Sequence, residues 1–267
     1  MIKLIFSDMD GTLLDENGKV PEEFDDLMAE LKKRNVRFVP ASGRQYHSLV
    51  KSFEKHRDSM IFMAENGCMV RDGKGTELYS NVMDREVCRR IWNKSLSLPG
   101  IYPVACAKKA SYILPHWEKY LDECKKYFSK YEFIESFDDI DDEIVKIALA
   151  DNHNWQAEKN IYHSFDEFKP EMQVSLSSDL WVDLTNNGAN KGESIKHLIA
   201  KLGIGFDECA AFGDFLNDYE MMSAVYYSYA MENAHPRLKE VARFRAKSNV
   251  EHGVIKAIYD LIEQGLI

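Results

Sequence analysis

The sequence lacks the features that mark several large classes of protein. Its five cysteines are odd in number and widely spaced, with no Cys-x-x-Cys pair that would suggest a zinc site or a redox centre. The apolar run at the N-terminus stops at Asp8, too short for a signal peptide or a membrane span. Basic residues are outnumbered 34 to 44, and the net charge of −10 disfavours nucleic acid as a partner. We therefore expect free thiols, a cytoplasmic location, and no nucleic-acid or membrane partner.

The order of the predicted elements indicates an α/β core at the start of the chain. Strands and helices alternate: a strand at 3–7, a helix around 24–31, a strand at 37–40, a helix around 49–53 and a strand at 60–64. This βαβαβ order is typical of a parallel sheet covered on both faces. The turn dipeptides Asn66-Gly67 and Asp72-Gly73 then predict hairpins.

The element order changes between about 84 and 186, which indicates an inserted α+β domain with a mainly antiparallel sheet. The predicted elements there are a helix at 84–96, strands at 102–105 and 111–114, a helix at 117–130, a strand at 145–150, a helix at 154–165 and strands at 172–177 and 181–185. The βα alternation then resumes with a helix at 191–202, a strand at 208–213, a helix at 217–224, a strand at 226–231 and a helix at 254–264. The core domain is therefore predicted to be discontinuous, 1–83 and 187–267.

The most informative string is Asp8-Met9-Asp10-Gly11-Thr12, which follows the first predicted strand. Ligands of open parallel sheets bind outside the carboxyl ends of the strands, where both carboxylates would emerge. Asp8 could attack the phosphorus of a phosphate ester, and Asp10 could protonate the departing alkoxide. The string is also compatible with an Asx turn that closes a strand.

Three further strings lie where strands give way to helices. In Gly213-Asp214-Phe215-Leu216-Asn217-Asp218, Asp214 is a candidate Mg²⁺ ligand, and Asn217 and Asp218 could orient waters or a lysine or could cap the helix. Ser42-Gly43-Arg44 could bind phosphate oxygens or form an ordinary serine cap. In Asn190-Lys191-Gly192 the lysine could hold the nucleophile and the phosphate, although surface lysines are common.

The order and placement of these strings resemble the haloacid dehalogenase superfamily, in particular its Cof-type (subfamily IIB) phosphatases. The similarity spans roughly 1–80 and 185–267. The matching strings are Asp8-x-Asp10-Gly11-Thr12, Ser42-Gly43-Arg44, Gly188-x-Asn190-Lys191-Gly192, Gly213-Asp214-x-x-Asn217-Asp218 with Met221, Ala230-Met231-x-Asn233-Ala234 and Gly253-Val254. Pro40-Ala41 departs from the pattern, since related sequences often carry threonine there.

The resemblance implies a Rossmann-like core with a C2B-type cap inserted after the third strand. It also implies site roles. Asp8 would be the nucleophile and Asp10 the acid/base. Mg²⁺ would be held by Asp8, Asp214 and the backbone carbonyl of Asp10. The phosphate would be bound by Ser42, Gly43, Lys191 and Asn217, with Asp218, Arg44 and Asn190 in supporting positions.

Three functions fit these motifs to different degrees. The best fit is a Mg²⁺-dependent phosphatase for small phosphorylated metabolites, with sugar phosphates or related compounds as the substrate class that the resemblance implies. A phosphomutase would use the same pair of aspartates, so the motifs leave the choice between water and a second hydroxyl open. A sensor that only binds a phosphorylated metabolite would need no nucleophile beside an acid/base, which counts against it.

The inserted unit is expected to select the substrate while the core performs the chemistry. None of the residues given a chemical role lies within 84–186, and this stretch holds 13 basic and 19 acidic residues, a balance that favours small substrates over long polyanions. Substitutions on the surface of this unit that is expected to face Asp8 should therefore reorder kcat/KM among sugar phosphates and leave cleavage of a small aryl phosphate largely unchanged. An equal loss on all substrates would contradict this expectation.

Overall fold

The computed structural model describes residues 1–120, 128–152 and 156–267. They form two compact units, which we call the core (Met1–Tyr79 with Asn190–Ile267) and the inserted unit (Ser80–Ala189). The strands are β1 (Leu4–Ser7), β2 (Arg37–Pro40), β3 (Ile61–Ala64), β4 (Met69–Asp72), β5 (Glu77–Ser80), β6 (Ile101–Ala107), β7 (Ser111–Ile113), β8 (Tyr131–Phe133), β9 (Ile144–Asp151), β10 (Met172–Leu176), β11 (Trp181–Asn186), β12 (Cys209–Gly213), β13 (Tyr227–Met231) and β14 (Phe244–Ala246). The described α-helices are α1 (Phe24–Lys33), α2 (Tyr46–Ser52), α3 (Arg85–Ser97), α4 (Ala157–Asn160), α5 (Lys191–Leu202), α6 (Tyr219–Ser223), α7 (Pro236–Val241) and α8 (Gly253–Glu263).

The core is built on a parallel sheet of five strands in the order β14-β13-β12-β1-β2. Every residue of β1 and β12 is buried, as expected for a sheet that is covered on both faces. Ser7, the last residue of β1, pairs with Phe212 of β12 and with Pro40 of β2. These three neighbouring strands therefore end together, and the predicted motifs follow them at one edge of the sheet.

The third predicted strand, 60–64, was expected in the parallel sheet but lies in a separate sheet of the core. As β3 it pairs antiparallel with β4 in a sheet of the order β3-β4-β5, and one parallel bridge from Met63 to Ala41 links it to the segment after β2. Asn66 and Gly67 lie between β3 and β4 and both have positive φ angles, 54° and 96°. That backbone conformation explains why an Asn-Gly pair stands there.

The inserted unit is an α+β unit, which confirms the predicted mixed architecture. Its sheet has the order β10-β11-β9-β6-β7-β8, and its recorded pairs are antiparallel except for the parallel pair β7–β8. Helix α3 begins where the Asp84 carboxylate accepts hydrogen bonds from the backbone N–H groups of Glu86 and Val87.

The inserted unit begins and ends a few residues outside the predicted limits of 84 and 186. The side-chain amide of Asn186 donates to the side-chain oxygen of Asn81 at 2.6 Å and to the carbonyl of Val82 at 2.8 Å. These bonds join the two connecting segments to each other. Sequence patterns do not register such a contact, because the partners are more than a hundred positions apart.

Two predicted helices of the inserted unit are wrong in type or extent. Of the helix predicted at 117–130, positions 121–127 lie outside the described residues, Pro115–Tyr120 is a 3₁₀ helix, and 128–130 lead into β8. Of the helix predicted at 154–165, positions 154 and 155 lie outside the described residues, and the rest divides into α4 and a 3₁₀ segment, Tyr162–Phe168. Apolar residues spaced three or four apart suit either helix type, and packing decides between them.

Helix 217–224 also divides, into a 3₁₀ turn at Leu216–Asp218 and the short α6. Strands β8 and β14 and helix α7 were not predicted. All three are six residues long or fewer, and only the alanine at the end of β14 is buried in that strand. Segments this short carry too few apolar positions for a period to emerge.

Four of the cysteines, Cys68, Cys88, Cys106 and Cys209, are buried and form no disulfide within the described residues, and Cys124 lies outside them. Across the described ranges, every helix is too short or too polar to cross a bilayer.

Candidate active site

The centre of the site is a lysine buried between two aspartates. Lys191 begins helix α5 and is fully buried, and its Nζ lies 2.5 Å from Asp8 Oδ1 and 2.6 Å from Asp218 Oδ1. Asp8 follows β1, whereas Asp218 lies at the end of the 3₁₀ turn that follows β12. One cation therefore joins segments that are 183 and 27 residues away from it in the chain.

Asp218 also orders the loop that carries Asp214. Its second oxygen, Oδ2, accepts hydrogen bonds from the backbone N–H groups of Asp214 at 3.0 Å and Phe215 at 3.3 Å. With Oδ1 bound to Lys191, both oxygens of this fully buried carboxylate have protein partners. Asp218 is thus placed to hold Lys191 and the Asp214 loop in position.

Asp214 lies against the loop that follows β1. Thr12 Oγ1 donates to Asp214 Oδ1 at 2.8 Å, and a Cβ added to Gly11 would come within 2.5 Å of Asp214 Oδ2. Gly11 also has a φ of +83°. Any other residue at this position would carry a side chain into the Asp214 carboxylate and strain the backbone, so the contact requires glycine.

The three carboxylates could hold a hard metal ion. One oxygen from each of Asp8, Asp214 and Asp218 lies within 4.8 Å of the others. Carboxylate oxygens in this number suit Mg²⁺, which keeps several water ligands and needs few from the protein. Because Asp218 is fully engaged by Lys191 and two backbone N–H groups, Asp8 and Asp214 are the members of the cluster that fit a metal.

Burial and neighbouring charges shift the pKa values of the ionisable groups in this cluster. Burial raises the pKa of Asp8 well above its ordinary value, with Lys191 opposing the rise and the carboxylates of Asp218 and Asp214 adding to it. Burial also raises the pKa of Asp214 to about 6, although the hydrogen bond from Thr12 opposes this. Burial alone would lower the pKa of Lys191, but Asp218 and Asp8 outweigh it and hold the pKa above its ordinary value. Lys191 is therefore the permanent cation of the site.

Asp10 is held from the side of β2. Its carboxylate is 65% exposed and receives two hydrogen bonds from the guanidinium of Arg44, at 2.6 Å from Nη2 and 3.2 Å from Nε. Ser42 is buried after β2, where its N–H donates to the Met63 carbonyl and its Oγ accepts the N–H of Arg44. This arrangement brings the second motif next to the first.

The remaining predicted residues divide into two groups. Asn217 donates from its side chain to Asn66 Oδ1 at 3.3 Å, and a Cβ added to Gly43 would lie 3.1 Å from Asn66 Nδ2, so these three residues are neighbours. Asn190 instead caps helix α5, because its side-chain oxygen accepts the N–H of Glu193 at 2.9 Å. Its position supports Lys191 through the start of the helix.

Sequence reasoning gave no role to two residues of this site, Thr12 and Asn66. Thr12 was part of the first motif, and a hydroxyl placed two residues after Asp10 could have been noted as a partner for a second carboxylate. Asn66 was interpreted only as part of a hairpin turn. The Asn66-Gly67 dipeptide indicates a turn, and Asn66 has the positive φ that such a turn needs, but the dipeptide gives no sign of the contact between the Asn66 side chain and Asn217.

Comparisons with known proteins identify similar sequences and structures. The family model described as haloacid dehalogenase-like hydrolase matches residues 5–258. The chain is 31% identical over 264 residues to the 5-amino-6-(5-phospho-D-ribitylamino)uracil phosphatase YbjI of Escherichia coli (strain K12), across 96% of this chain and 95% of that protein. It is 24% identical to the Bacillus subtilis (strain 168) phosphatase YcsE, which bears the same substrate in its name, across 96% and 94%. A crystal structure from Streptococcus mutans UA159 superimposes with a TM-score of 0.84 at 27% identity, covering 98% of this chain and all of that one.

Removal of the Lys191 charge tests the buried cluster. Lys191→Met leaves Asp8 and Asp218 buried without their bonded cation, so we expect the free energy of unfolding at neutral pH to fall by about 3 kcal/mol. In the folded variant the buried carboxylates bind protons more readily than they do in the unfolded chain, so the stability of the variant rises as the pH falls. The deficit relative to the wild type should therefore shrink between about pH 8 and about pH 5. Urea unfolding at several pH values measures this. Lys196→Met, which removes an exposed ion pair on the same helix, is the control and should change stability little. A deficit that does not depend on pH would contradict the electrostatic account.

Proposed function

The chain belongs to the haloacid dehalogenase-like hydrolases and is a Cof-type phosphatase, and from this we propose that it hydrolyses small phosphate monoesters through an aspartyl-phosphate on Asp8 with Mg²⁺ as cofactor. The observation that carries the proposal is the buried cluster of Asp8, Lys191 and Asp218 beside Asp214. It presents a carboxylate nucleophile next to a fixed cation at the end of a parallel sheet.

The proposed reaction has two steps at phosphorus. In the first, a carboxylate oxygen of Asp8 forms a bond to phosphorus, the bond to the ester oxygen breaks, and protonated Asp10 gives its proton to the departing alkoxide. In the second, Asp10 takes a proton from water, the water oxygen bonds to phosphorus, and inorganic phosphate leaves Asp8. Lys191 stays protonated throughout and offsets the negative charge that gathers around Asp8.

Mg²⁺ fits the donor set of Asp8 and Asp214, with the backbone carbonyl of Asp10 as the further ligand that the family resemblance supplies. When bound, the cation neutralises phosphoryl charge that the surrounding carboxylates would otherwise repel. Ser42, Gly43, Asn217 and Lys191 are the proposed phosphate contacts. Arg44, Asp218 and Asn190 are proposed to support Asp10, Lys191 and the start of α5, respectively, and the contacts described above are consistent with these roles.

The proposed substrates are small phosphorylated metabolites, with sugar phosphates and related compounds as the class. Two of the relatives described above bear 5-amino-6-(5-phospho-D-ribitylamino)uracil in their names, a phosphate ester on a sugar-derived chain, and this compound is the first candidate within the class. Transfer to a second hydroxyl, as in a phosphomutase, remains the alternative. Its product would be an isomeric phosphate ester without release of inorganic phosphate.

A substrate panel with Mg²⁺ tests the proposed reaction. We expect release of inorganic phosphate from at least one sugar phosphate or from the ribitylaminouracil phosphate, and Asp8→Asn should lower kcat by more than about a thousandfold because an amide cannot form the aspartyl-phosphate. Asp207→Asn, an exposed substitution of the same kind, is the control and should leave kcat unchanged. Activity of Asp8→Asn within about tenfold of wild type would overturn the nucleophile, and an isomerised ester without free phosphate would favour the mutase.

The pH dependence of Mg²⁺ binding tests the metal site. Asp214 must be ionised to bind a cation, and burial raises its pKa to about 6, so protons compete with Mg²⁺ below that pH. We expect the stabilisation of the protein by Mg²⁺ in thermal unfolding to be full near pH 8, and the apparent affinity to fall below about pH 6, with a slope that approaches about tenfold per pH unit well below that value. Asp214→Asn should abolish the stabilisation, and Asp207→Asn should keep it. An affinity that is flat from pH 8 to about 5 would contradict the assignment of Asp214.

A further inference from the structure

The loop that carries both proposed catalytic aspartates is held by two asparagines from the C-terminal part of the core. After β13, the side-chain amide of Asn233 donates to the carbonyl of Gly11 at 2.8 Å. The side-chain oxygen of Asn233 accepts the backbone N–H of Asn249 at 3.3 Å, and the side-chain amide of Asn249 donates to the carbonyl of Leu14 at 2.9 Å. Gly11 and Asn233 are 222 positions apart in the chain. The chemistry assigned above uses neither asparagine.

These bonds matter most for Asp10, the residue that precedes Gly11. The Asp10 side chain is 65% exposed, so packing does not fix its direction. Its direction depends instead on Arg44 and on the path of its own backbone. On one side that path is set by Asp8, which follows β1 and donates its N–H to the Phe212 carbonyl. On the other side it is set by Thr12, which donates a hydrogen bond to Asp214.

Gly11 is the flexible point between these two fixed positions. Glycine is free to adopt many backbone conformations, and the positive φ here is one that other residues rarely adopt. Asn233 is itself exposed, and water could satisfy the Gly11 carbonyl in its place. A bond from Asn233 therefore adds little to overall stability but fixes the direction in which the Gly11 peptide points.

We propose that Asn233 is a positioning residue for the phosphatase reaction: by binding the Gly11 carbonyl, it fixes the backbone beside Asp10 so that the Asp10 carboxyl meets the leaving-group oxygen. The inference rests on the proposed acid/base role of Asp10. It predicts that substitution of Asn233 lowers kcat more for leaving groups that need more protonation. Alkoxides need a proton as the ester bond breaks, whereas p-nitrophenolate leaves readily without one.

The test compares an alkyl phosphate, the best substrate from the panel, with p-nitrophenyl phosphate. Asn233→Asp is nearly isosteric: it replaces the amide donor to Gly11 by an oxygen and keeps an acceptor for the N–H of Asn249. We expect it to lower kcat for the alkyl phosphate by about tenfold and for the aryl phosphate by no more than about twofold, with KM nearly unchanged. Asn233→Ala should show the same bias without adding a charge.

Asn249→Asp is the matched control. It adds the same charge close by and removes the bond to Leu14, but it leaves the bond between Asn233 and Gly11 in place. Its effect on the two substrates should be equal, whether that effect is small or large. Thermal unfolding of each variant measures how much of any loss comes from instability.

Equal fractional losses on both substrates for the Asn233 variants, a change confined to KM, or failure of both variants to fold would overturn the inference. Asp10→Asn separates this result from a failure of the underlying mechanism. If Asp10→Asn shows the leaving-group bias and the Asn233 variants do not, only the role of Asn233 is wrong. If Asp10→Asn shows no bias, the acid role of Asp10 fails and the role of Asn233 fails with it.

Discussion

The fully buried ammonium group of Lys191 is the constraint around which the site is arranged. A buried charge is tolerated only with close partners of opposite sign, and here those partners are the carboxylates of Asp8 and Asp218. Because these groups come from three separate segments, the requirement to pair them ties the loop after β1, the turn after β12 and the start of α5 into one arrangement. The start of α5 is held further by Ser194, whose hydroxyl donates to the carbonyl of Gly67.

The parallel sheet makes this arrangement possible. Three adjacent strands end level with one another, so short loops suffice to bring distant parts of the chain together. Asp218 also fixes the Asp214 loop, since the oxygen that does not bind Lys191 accepts hydrogen bonds from the N–H groups of Asp214 and Phe215. Charges are thus positioned by backbone that is itself fixed by the sheet, which is the kind of preorganisation that phosphoryl transfer requires. In this acidic protein, Lys191 and Arg44 supply positive charge at the site, and Asp8 and Asp214 could hold a cation as well.

In the core, sequence patterns correctly predicted the elements whose formation depends on consecutive residues. The strand at 37–40 and the helix at 191–202 have the predicted bounds, because an apolar run and a capped amphipathic segment are each encoded in consecutive residues. The helix predicted at 154–165 shows the limit. Its described part is a short α-helix followed by a 3₁₀ segment, and the choice between the two helix types is made by what the apolar side chains pack against. Strand β14 was not predicted at all, since it is three residues long and is a strand only because β13 lies beside it.

The sequence by itself determined the α/β class, the presence of an insertion and the identity of the candidate chemical groups, because strand-to-loop transitions and glycine turns are properties of short stretches of chain. Only the tertiary structure decided which of these groups touch. It paired Asp218 with Lys191, Thr12 with Asp214, Arg44 with Asp10, and Asn233 with Gly11. These partners lie between 27 and 222 positions apart, and a hydrogen bond forms by proximity in space, which no local pattern of residues encodes.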